Sequence, residues 1–600
     1  MSSKKLYPTI NYTSRDFNSI KNDLVNYAKR YYPNTFQDFN EAGFGALMLD
    51  TVSYVGDILS YYVDYNANES FLDTAIEYKN ILKLGKQMGF QFSGNPSSSG
   101  IANFFIIVPA NSSGLGPDTR YMPILKSGTA LTSNTGALFV LSEDVMFSDS
   151  KNEIVVSSAN ETTGVPTFFA IKASGVVVSG EIKEEIVDVG NFEKFRKIEL
   201  SDSNITEVIA CYDAEGHEYF RVDHLSQDVV FATVTNRDES NNNKARSILK
   251  PIAVPRRFTS ERQREKTIIQ FGFGSERNIT QNPLIDPSTS VLDFYGKNYV
   301  TDTSFDPTNL LGTDKLGVSP ANTQLTIVYR LNTSGDVNVG AGGLNGIASQ
   351  TFQFENLTDL NAASVAQVES SLEVSNDDAI LGDVSLPSAD ELKIRIGDSF
   401  ASQNRAVTAQ DYRGIAYQMP PQFGAIKRIS VMRDLSSSKR NINLFVISED
   451  ENTNLESTNM VVKQNLKTWL NRHRMINDTI DILDAKIVNI RISFSIVADI
   501  EANKYQVLND AIASLSDLYT QKSEIGEPFS ITEVYSTLNS VPGVIDTTDV
   551  SIGTISGGLY SNANFDMLQV TSPDGRTIMT PENVILEIKY PSQDIVGSVL

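Results

Sequence analysis

The sequence has very little cysteine and histidine. Its 600 residues include one cysteine, Cys211, and three histidines, His217, His224 and His473. A single cysteine excludes an intramolecular disulfide framework, so stability must come from packing and assembly. Three histidines leave little material for metal binding or acid–base chemistry. We therefore expect no cofactor, no metal site and no catalytic residue.

The strongest metal candidate is the short segment that holds Cys211, His217 and His224, with Asp213 and Asp223 beside them. Cysteine and histidine are good zinc ligands, but this spacing matches no closed four-ligand pattern. The residue pattern of the segment is also that of ordinary strands. None of the histidines has a recognisable nucleophile near it in the sequence, so Ser–His–acid catalysis is not indicated either.

Long apolar runs and excess positive charge are also missing. No run of about 18 apolar residues, the length that suggests a membrane-spanning helix, occurs in the sequence. The N-terminus has no apolar stretch behind its first lysines, so we expect no signal peptide. The net charge is -23, and phosphate backbones attract basic surfaces. We therefore predict neither membrane insertion nor a nucleic-acid partner.

Two local features leave alternatives open. The glycines of 271–274 and 339–346 lack the spacing of a phosphate-binding loop, so we interpret them as turn glycines. A basic island interrupts the acidic chain, and it is either a solvated loop or a docking site for an acidic patch of a partner. Its members are Arg256, Arg257, Arg262, Arg264 and Lys266.

The composition of the chain and the spacing of its apolar residues change several times, which predicts a multidomain α+β protein. We expect an N-terminal helical domain, a central all-β region and a C-terminal α+β domain with an antiparallel sheet. The predicted boundaries are 1–95 for the helical domain, 96–274 for the all-β domain, 275–385 for a loop-rich β segment, 386–545 for the α+β domain and 546–600 for a C-terminal β and turn segment.

The N-terminal region is helical and unusually aromatic. A first helix is predicted from Thr13, with Asp16 completing a capping box, and a second, from about Gly45, is apolar on more than one face. One interpretation is a self-contained helical core. The other is a surface for another chain, which tyrosine favours because its ring is apolar and its tip polar. The candidate interface residues are Phe17, Ile20, Leu24, Tyr27, Tyr31, Tyr54 and Tyr61.

The stretch 392–432 predicts a helix, a polar hinge, a second helix and a strand. Thr408 and Asp411 have the spacing of a capping box at the start of the second helix, which carries Tyr412 on its apolar face. That helix must end before Pro420. We interpret Arg405 as the structural residue that fixes the hinge by pairing with a carboxylate or a carbonyl group.

Four segments, together with the N-terminal helices that include Phe39–Ala75, resemble, in the same order along the chain, the baseplate J-like proteins of contractile-tailed phages, in particular the wedge proteins of T-even-like phages. They are Met122–Thr129, the FGFG of 271–274, the strand and turn of Leu325–Gly335, and Arg405-Ala-Val-Thr408-Ala-Gln-Asp411-Tyr412. The third residue of FGFG is Phe273, where the family often has a polar residue.

The resemblance implies a structural protein of the virion, located in the tail baseplate and assembled in the host cytoplasm, without enzymatic activity. It also implies homodimers, associated through the 386–545 domain, that link wedges into an inner ring and relay a change of shape when the sheath contracts. The expected partners are other wedge subunits, including a helical-bundle partner, and sheath-proximal proteins. The alternatives are the equivalent wedge component of a non-phage contractile injection system and a carbohydrate-active tail enzyme. The enzyme would need two carboxylates at glycosidase separation.

Overall fold

The computed structural model describes residues 15–32, 43–92, 94–111, 116–235, 247–262, 266–275, 316–332, 335–434, 441–520, 522–564 and 566–599. They fall into two compact units, one within Met1–Gln91 and Pro387–Phe400, the other within Phe92–Leu386 and Ala401–Leu600. Among these residues no helix is both long and apolar enough to cross a bilayer. The predicted order of N-terminal helices, a mostly β central region and a C-terminal α+β region is confirmed.

The described helices, in chain order, are α1 Phe17–Tyr31, α2 Phe44–Glu69, α3 Tyr78–Gln87, α4 Ala362–Ser370, α5 Ala389–Ser402, α6 Ala409–Ala416, α7 Met460–Leu470, α8 Lys504–Leu518, α9 Ile531–Asn539, α10 Met567–Val570 and α11 Pro591–Asp594.

The first described helix is capped by the residue just before it. Asp16 has an extended backbone, and its side chain accepts a hydrogen bond from the Ser19 N–H at 3.1 Å. The predicted start at Thr13 lies outside the described residues, and α1 begins only at Phe17, so Asp16 is the N-cap itself and not the third residue of a capping box.

The helical unit contains α1, α2, α3 and most of α5. Lys21 of α1 pairs with Asp50 of α2 at 2.7 Å, and Arg15, just before α1, pairs with Asp64 of α2 at 2.5 Å, so the two helices are antiparallel. A turn links α2 to α3. It is held by Glu69, whose carboxylate accepts bonds from the Ile76 N–H at 2.8 Å and the Asn80 amide at 2.9 Å.

A segment distant in sequence completes the helical unit. Ile396 of α5 packs on Gly85 of α3 so closely that a Cβ added at Gly85 would lie 2.7 Å from its Cδ1 atom. The Lys393 ammonium also donates to the Asp73 carbonyl oxygen at 3.3 Å. The absence of a side chain at Gly85 therefore makes this helix contact possible.

The described strands are as follows. Before α4 they are β1 Ser99–Pro109, β2 Ile124–Leu125, β3 Ala130–Ser133, β4 Leu138–Leu141, β5 Val145–Met146, β6 Glu153–Ala159, β7 Pro166–Ser179, β8 Glu181–Val189, β9 Lys197–Glu199, β10 Ile205–Asp213, β11 Phe220–Arg221, β12 Val229–Thr235, β13 Ser247–Ala253, β14 Arg257–Arg262, β15 Thr267–Phe271, β16 Thr323–Leu331, β17 Leu344–Ser349 and β18 Phe352–Gln353. Later ones are β19 Glu373–Ser375, β20 Arg428–Arg433, β21 Asn441–Glu449, β22 Leu455–Glu456, β23 Thr479–Asp484, β24 Lys486–Ala498, β25 Phe529–Ser530, β26 Val544–Ile555, β27 Thr577–Ile578, β28 Val584–Glu587 and β29 Ile595–Val599.

The described strands of the central β region form five sheets, including a seven-stranded sheet and a three-stranded sheet centred on β16. The larger has the strand order β17-β3-β4-β7-β1-β19, with β6 also on β7, and its long β1–β7 pair buries Phe104 and Ile106. In the smaller sheet β16 lies between β8 and β10 and buries Ile327 and Tyr329. The sequence had predicted a strand at Leu325–Arg330, and it lies within β16.

The C-terminal region combines antiparallel and parallel pairs. One sheet places β21 between β20, antiparallel, and β23, parallel, and packs α6 and α7 around Leu444 and Val446. The other places β24 against antiparallel β26 and against parallel β28 and β29. Helices α8 and α9 cover it through the buried side chains of Leu515 and Leu538.

Candidate interaction surface

Helix α2 exposes most of its large apolar side chains. They are Phe44, Leu47, Met48, Val52, Tyr54, Val55, Leu59, Tyr61, Tyr62 and Val63, each between 49% and 75% exposed. Isolated apolar residues are normal on a protein surface, whereas a contiguous apolar patch marks an interaction site. We call this set the α2 surface.

The buried side of α2 carries small residues instead. Ala46 and Ser53 are buried. Gly56 lies against Ile20 of α1, and a Cβ there would be 3.3 Å from the Ile20 Cδ1 atom. A helix that stabilised only its own unit would turn its large residues inward. Helix α2 therefore turns small residues towards α1 and most of its large apolar residues towards solvent.

The spacing within the α2 surface is that of a coiled-coil seam. Met48, Val52, Val55, Leu59 and Tyr62 follow one another at steps of four, three, four and three residues. Alternation of three and four keeps side chains on one stripe that faces a partner helix. This signal is present in the sequence, although aromatic content alone directs attention to Tyr54 and Tyr61.

The structure separates the predicted interface residues into two groups. Phe17, Ile20 and Leu24 of α1 are half-buried. Tyr27 and Tyr31 are 43% and 54% exposed, and their ring centroids are 4.7 Å apart. The two tyrosines of α2, Tyr54 and Tyr61, are exposed and belong to the α2 surface. The half-buried residues thus serve the helical unit, and the tyrosines face solvent.

Residues that the sequence interpretation missed extend the exposed apolar area. Leu47, Val55 and Leu59 lie on α2, and Phe71 and Ile76 lie on the turn that follows it, 67% and 73% exposed. Hydrophobicity alone did not identify them, because in sequence an exposed leucine looks the same as a core leucine.

The hinge that follows α5 is held mainly by backbone hydrogen bonds. Gln403 and Asn404 have positive φ angles of 48° and 60°, and the Ala406 N–H donates to the His473 carbonyl oxygen at 2.8 Å. The exposed Arg405 guanidinium lies 3.5 Å from the Gln403 side-chain oxygen.

The helix after the hinge starts with a complete capping box. The Thr408 hydroxyl accepts from the Asp411 N–H at 3.2 Å, and the Asp411 carboxylate accepts from the Thr408 N–H at 2.8 Å. Tyr412 is buried in the core beside α7, and its hydroxyl donates to the Asp478 carboxylate at 2.9 Å. Burial, and then the bond to Asp478, raise the pKa of Tyr412. These contacts fix the start of the helix and its position in the core.

An acidic junction lies where the turn at 336–338 meets the segment before α5. Burial raises the pKa of Asp383 to about 7, and the nearby Asp336 carboxylate adds to the effect. The Asn338 side chain ties the segments together, because it donates to the Asp383 carbonyl oxygen at 2.7 Å and to that of Glu449 at 3.1 Å. The side chain of Glu449 pairs with buried Lys427 at 3.0 Å.

The sequence-level metal candidate is dispersed by the fold. Cys211 is buried in β10, and burial raises the pKa of its thiol to about 12. The His217 ring contacts the Asp213 carboxylate at 3.1 Å. Across the described segments, no group of three or more His, Cys, Asp or Glu side chains is arranged to hold a metal ion.

The basic island is in part a structural element. Arg257 is 2% exposed and donates to the carbonyl oxygens of Leu225 at 2.7 Å and Val254 at 2.9 Å. Burial lowers the pKa of Arg262, at the other end of β14, to about 9. Lys266 pairs with Glu199, and Arg264 lies outside the described residues. Arg257 therefore holds a loop in place and is not available for docking.

Comparison with known proteins finds one family model. Residues 16–87 match the model of the bacteriophage baseplate protein, N-terminal domain. This range contains α1, α2 and α3, and therefore the whole α2 surface. No curated protein matches the chain.

Two solved structures are similar at low identity. A chain of the anti-feeding prophage baseplate is 9% identical, with 96% of this chain and 99% of that chain covered and a TM-score of 0.25. A chain of the TssK-TssF-TssG baseplate subcomplex of a type VI secretion system is 8% identical, with 73% and 95% covered and a TM-score of 0.24.

Proposed function

We propose that the chain is a structural subunit of the baseplate of a contractile phage tail, or of a contractile injection machine built on the same plan. The observation that carries this proposal is the match of residues 16–87 to the baseplate N-terminal family model. The matched residues are those that carry the outward-facing α2 surface. Family and geometry therefore direct attention to the same helices.

In this proposal the chain acts as a wedge subunit, and its function is assembly without catalysis. The α2 surface packs against helices of another baseplate subunit, with its stripe at steps of three and four residues as the seam. The C-terminal α+β region associates two copies, and the coupled copies link wedges and transmit a rearrangement when the sheath contracts. Sheath-proximal proteins are further partners.

Burial of the solvent-exposed apolar side chains of α2 would stabilise the contact with the partner helix. Burying one Leu or Val side chain stabilises a complex by roughly 1.5–3 kcal/mol. Val55 and Leu59 are 49% and 58% exposed and adjacent on the stripe. Replacing both with Asp removes this burial and places two charges in the seam. The affinity for the helical partner should fall by at least about 100-fold.

The experiment mixes the purified chain with the other baseplate subunits of the same particle and measures complex formation by native electrophoresis and light scattering. The double variant Val55→Asp, Leu59→Asp is compared with Leu357→Asp as a matched control, because Leu357 is 60% exposed and lies in the central region, outside both proposed contacts. We expect the double variant to stay folded by circular dichroism and to lose the complex, while the control assembles normally. Normal assembly of the double variant would refute the role of the α2 surface.

A further inference from the structure

Strands β12 and β13 form a sheet of their own. They pair antiparallel over their full length, from Val229 opposite Ala253 to Thr235 opposite Ser247, and neither strand pairs with another described strand. Phe231 and Leu249 are 61% and 69% exposed. A two-stranded ribbon is at best marginally stable in water by itself, and further strands with apolar cover stabilise it.

The hydrogen-bond pattern shows which backbone groups point away from the ribbon. The Val254 N–H donates to the Asp228 carbonyl oxygen at 2.8 Å, so these residues form a hydrogen-bonded pair that continues the register. Such pairs alternate with non-hydrogen-bonded ones in an antiparallel ladder. The N–H and C=O groups of Val229, Phe231 and every second residue up to 235 therefore point outward. The Gln227 side-chain amide donates to the Val229 carbonyl oxygen at 3.0 Å, as expected on that side.

The two outer edges of the ribbon differ in their protection. The β13 edge has Pro251 at an outward position, where it offers no N–H group, and Lys250 next to it. Proline and lysine are the residues that block unwanted strand pairing at sheet edges. The β12 edge, of sequence VVFATVT, contains neither a proline nor a charged residue.

Another exposed edge in the same unit is protected in a different way. The pairing of β6 with β7 shifts register between Val156 and Ser158 and again between Ser158 and Ala159. Such irregularities bend an edge strand away from further pairing. The pairing of β12 with β13 has no shift. Of these two exposed edges, β12 is the one suited to accept another strand.

We propose that the β12 edge binds the β12 edge of a second copy of this chain, antiparallel about a two-fold axis at residue 232. This arrangement would pair Val229 with Thr235 and Phe231 with Thr233 of the other copy. All of these residues have outward-pointing backbone groups, so the pairing uses those groups on both copies. The resulting sheet has four strands, in the order β13-β12-β12-β13.

Charge and symmetry favour a second copy as the occupant. A two-fold contact must be self-complementary, and the uncharged β12 sequence places no like charges opposite each other. The same contact through β13, centred on residue 250, would set Lys250 against Lys250 and would be destabilised. Each copy carries a net charge of -23, so an uncharged edge beside a lysine is a favourable place for two copies to meet.

The test uses the purified full chain, so it does not depend on the proposed baseplate role. In the proposed contact residue 232 faces its own copy at a non-hydrogen-bonded position, where Cα atoms lie about 4.5 Å apart. This distance is within the range of a disulfide bond. The variant Ala232→Cys should therefore form a cross-linked dimer under mild oxidation, reversed by reductant. The native Cys211 is buried and should not interfere.

The matched control is Lys250→Cys, because Lys250 lies opposite Ala232 within the ribbon but on the protected edge. It should remain uncross-linked under the same conditions. A second variant, Ala232→Lys, should lose a species seen for the wild type by sedimentation velocity, because it sets like charges face to face. Absence of the Ala232→Cys dimer from folded protein, or equal cross-linking of both cysteine variants, would overturn the proposal, as would unchanged sedimentation of Ala232→Lys.

Discussion

Replacing Asp383 with asparagine should stabilise the protein at alkaline pH and have little effect at acid pH. Burial, reinforced by Asp336, raises the pKa of Asp383 from 3.8 to about 7. Because the folded state holds this proton more tightly than the unfolded state, the free energy of unfolding falls as the pH rises from about 4 to about 7. The destabilisation is complete above pH 7 and absent below pH 4.

The magnitude follows from the size of that shift. One pKa unit corresponds to about 1.4 kcal/mol, so the penalty has a ceiling of about 4 kcal/mol. The Asp383 side chain is partly in contact with solvent, which lowers the expected gain of Asp383→Asn at pH 8 to roughly 2–4 kcal/mol. Asparagine retains an oxygen that can accept from the Val337 N–H, the donor that lies 3.4 Å from the carboxylate.

The assay is differential scanning calorimetry at pH 8 and pH 4.5. If the larger unit unfolds as one block, an unfolding entropy of about 2.1 cal/mol/K per residue gives a rise in melting temperature of roughly 2–4 °C at pH 8. If a smaller part of the chain unfolds cooperatively, its unfolding entropy is lower and the melting temperature should rise by more. At pH 4.5 the rise should be under about 1 °C. The control Asp378→Asn, at an exposed position, should change little at either pH. An equal shift at both pH values would refute the reasoning.

Two further substitutions test the contacts described around the hinge and the acidic junction. Thr408→Ala removes the side-chain half of the capping box and should cost about 1 kcal/mol, as measured by urea unfolding, whereas Thr408→Ser should retain it; equal losses would contradict the capping role. Lys427→Met leaves the carboxylate of Glu449 buried without its cation and should cost roughly 3–5 kcal/mol. Lys463→Met, which breaks the more exposed ion pair of Lys463 with Asp484, should cost under about 1 kcal/mol in the same assay.

Local patterns in the sequence were sufficient to predict the order of the helical and β regions. The N-terminal region was predicted to be helical and contains α1, and the spacing of Thr408 and Asp411 predicted a capping box that the structure contains. Both signals act over a few residues, where helix geometry fixes which side chains meet.

Contacts between residues far apart in the sequence could not be predicted from local spacing. The packing of Ile396 on Gly85 joins segments that no periodicity connects. The raised pKa of Asp383 depends on Asp336, which reaches it only through the fold. The sequence also predicted α2 as a helix apolar on several faces, but the side that faces solvent became visible only once α1 was in place.

The helical unit is discontinuous, and this has a consequence for synthesis on the ribosome. Its first part ends at Gln91, but its last helix is supplied by Pro387–Phe400. At about 5–20 residues per second, translation of the intervening residues takes roughly 15–60 s. During that interval α3 lacks the helix that covers Gly85, while the apolar side chains of α2 are already made. The helical unit can therefore be completed only after the central β region has been translated.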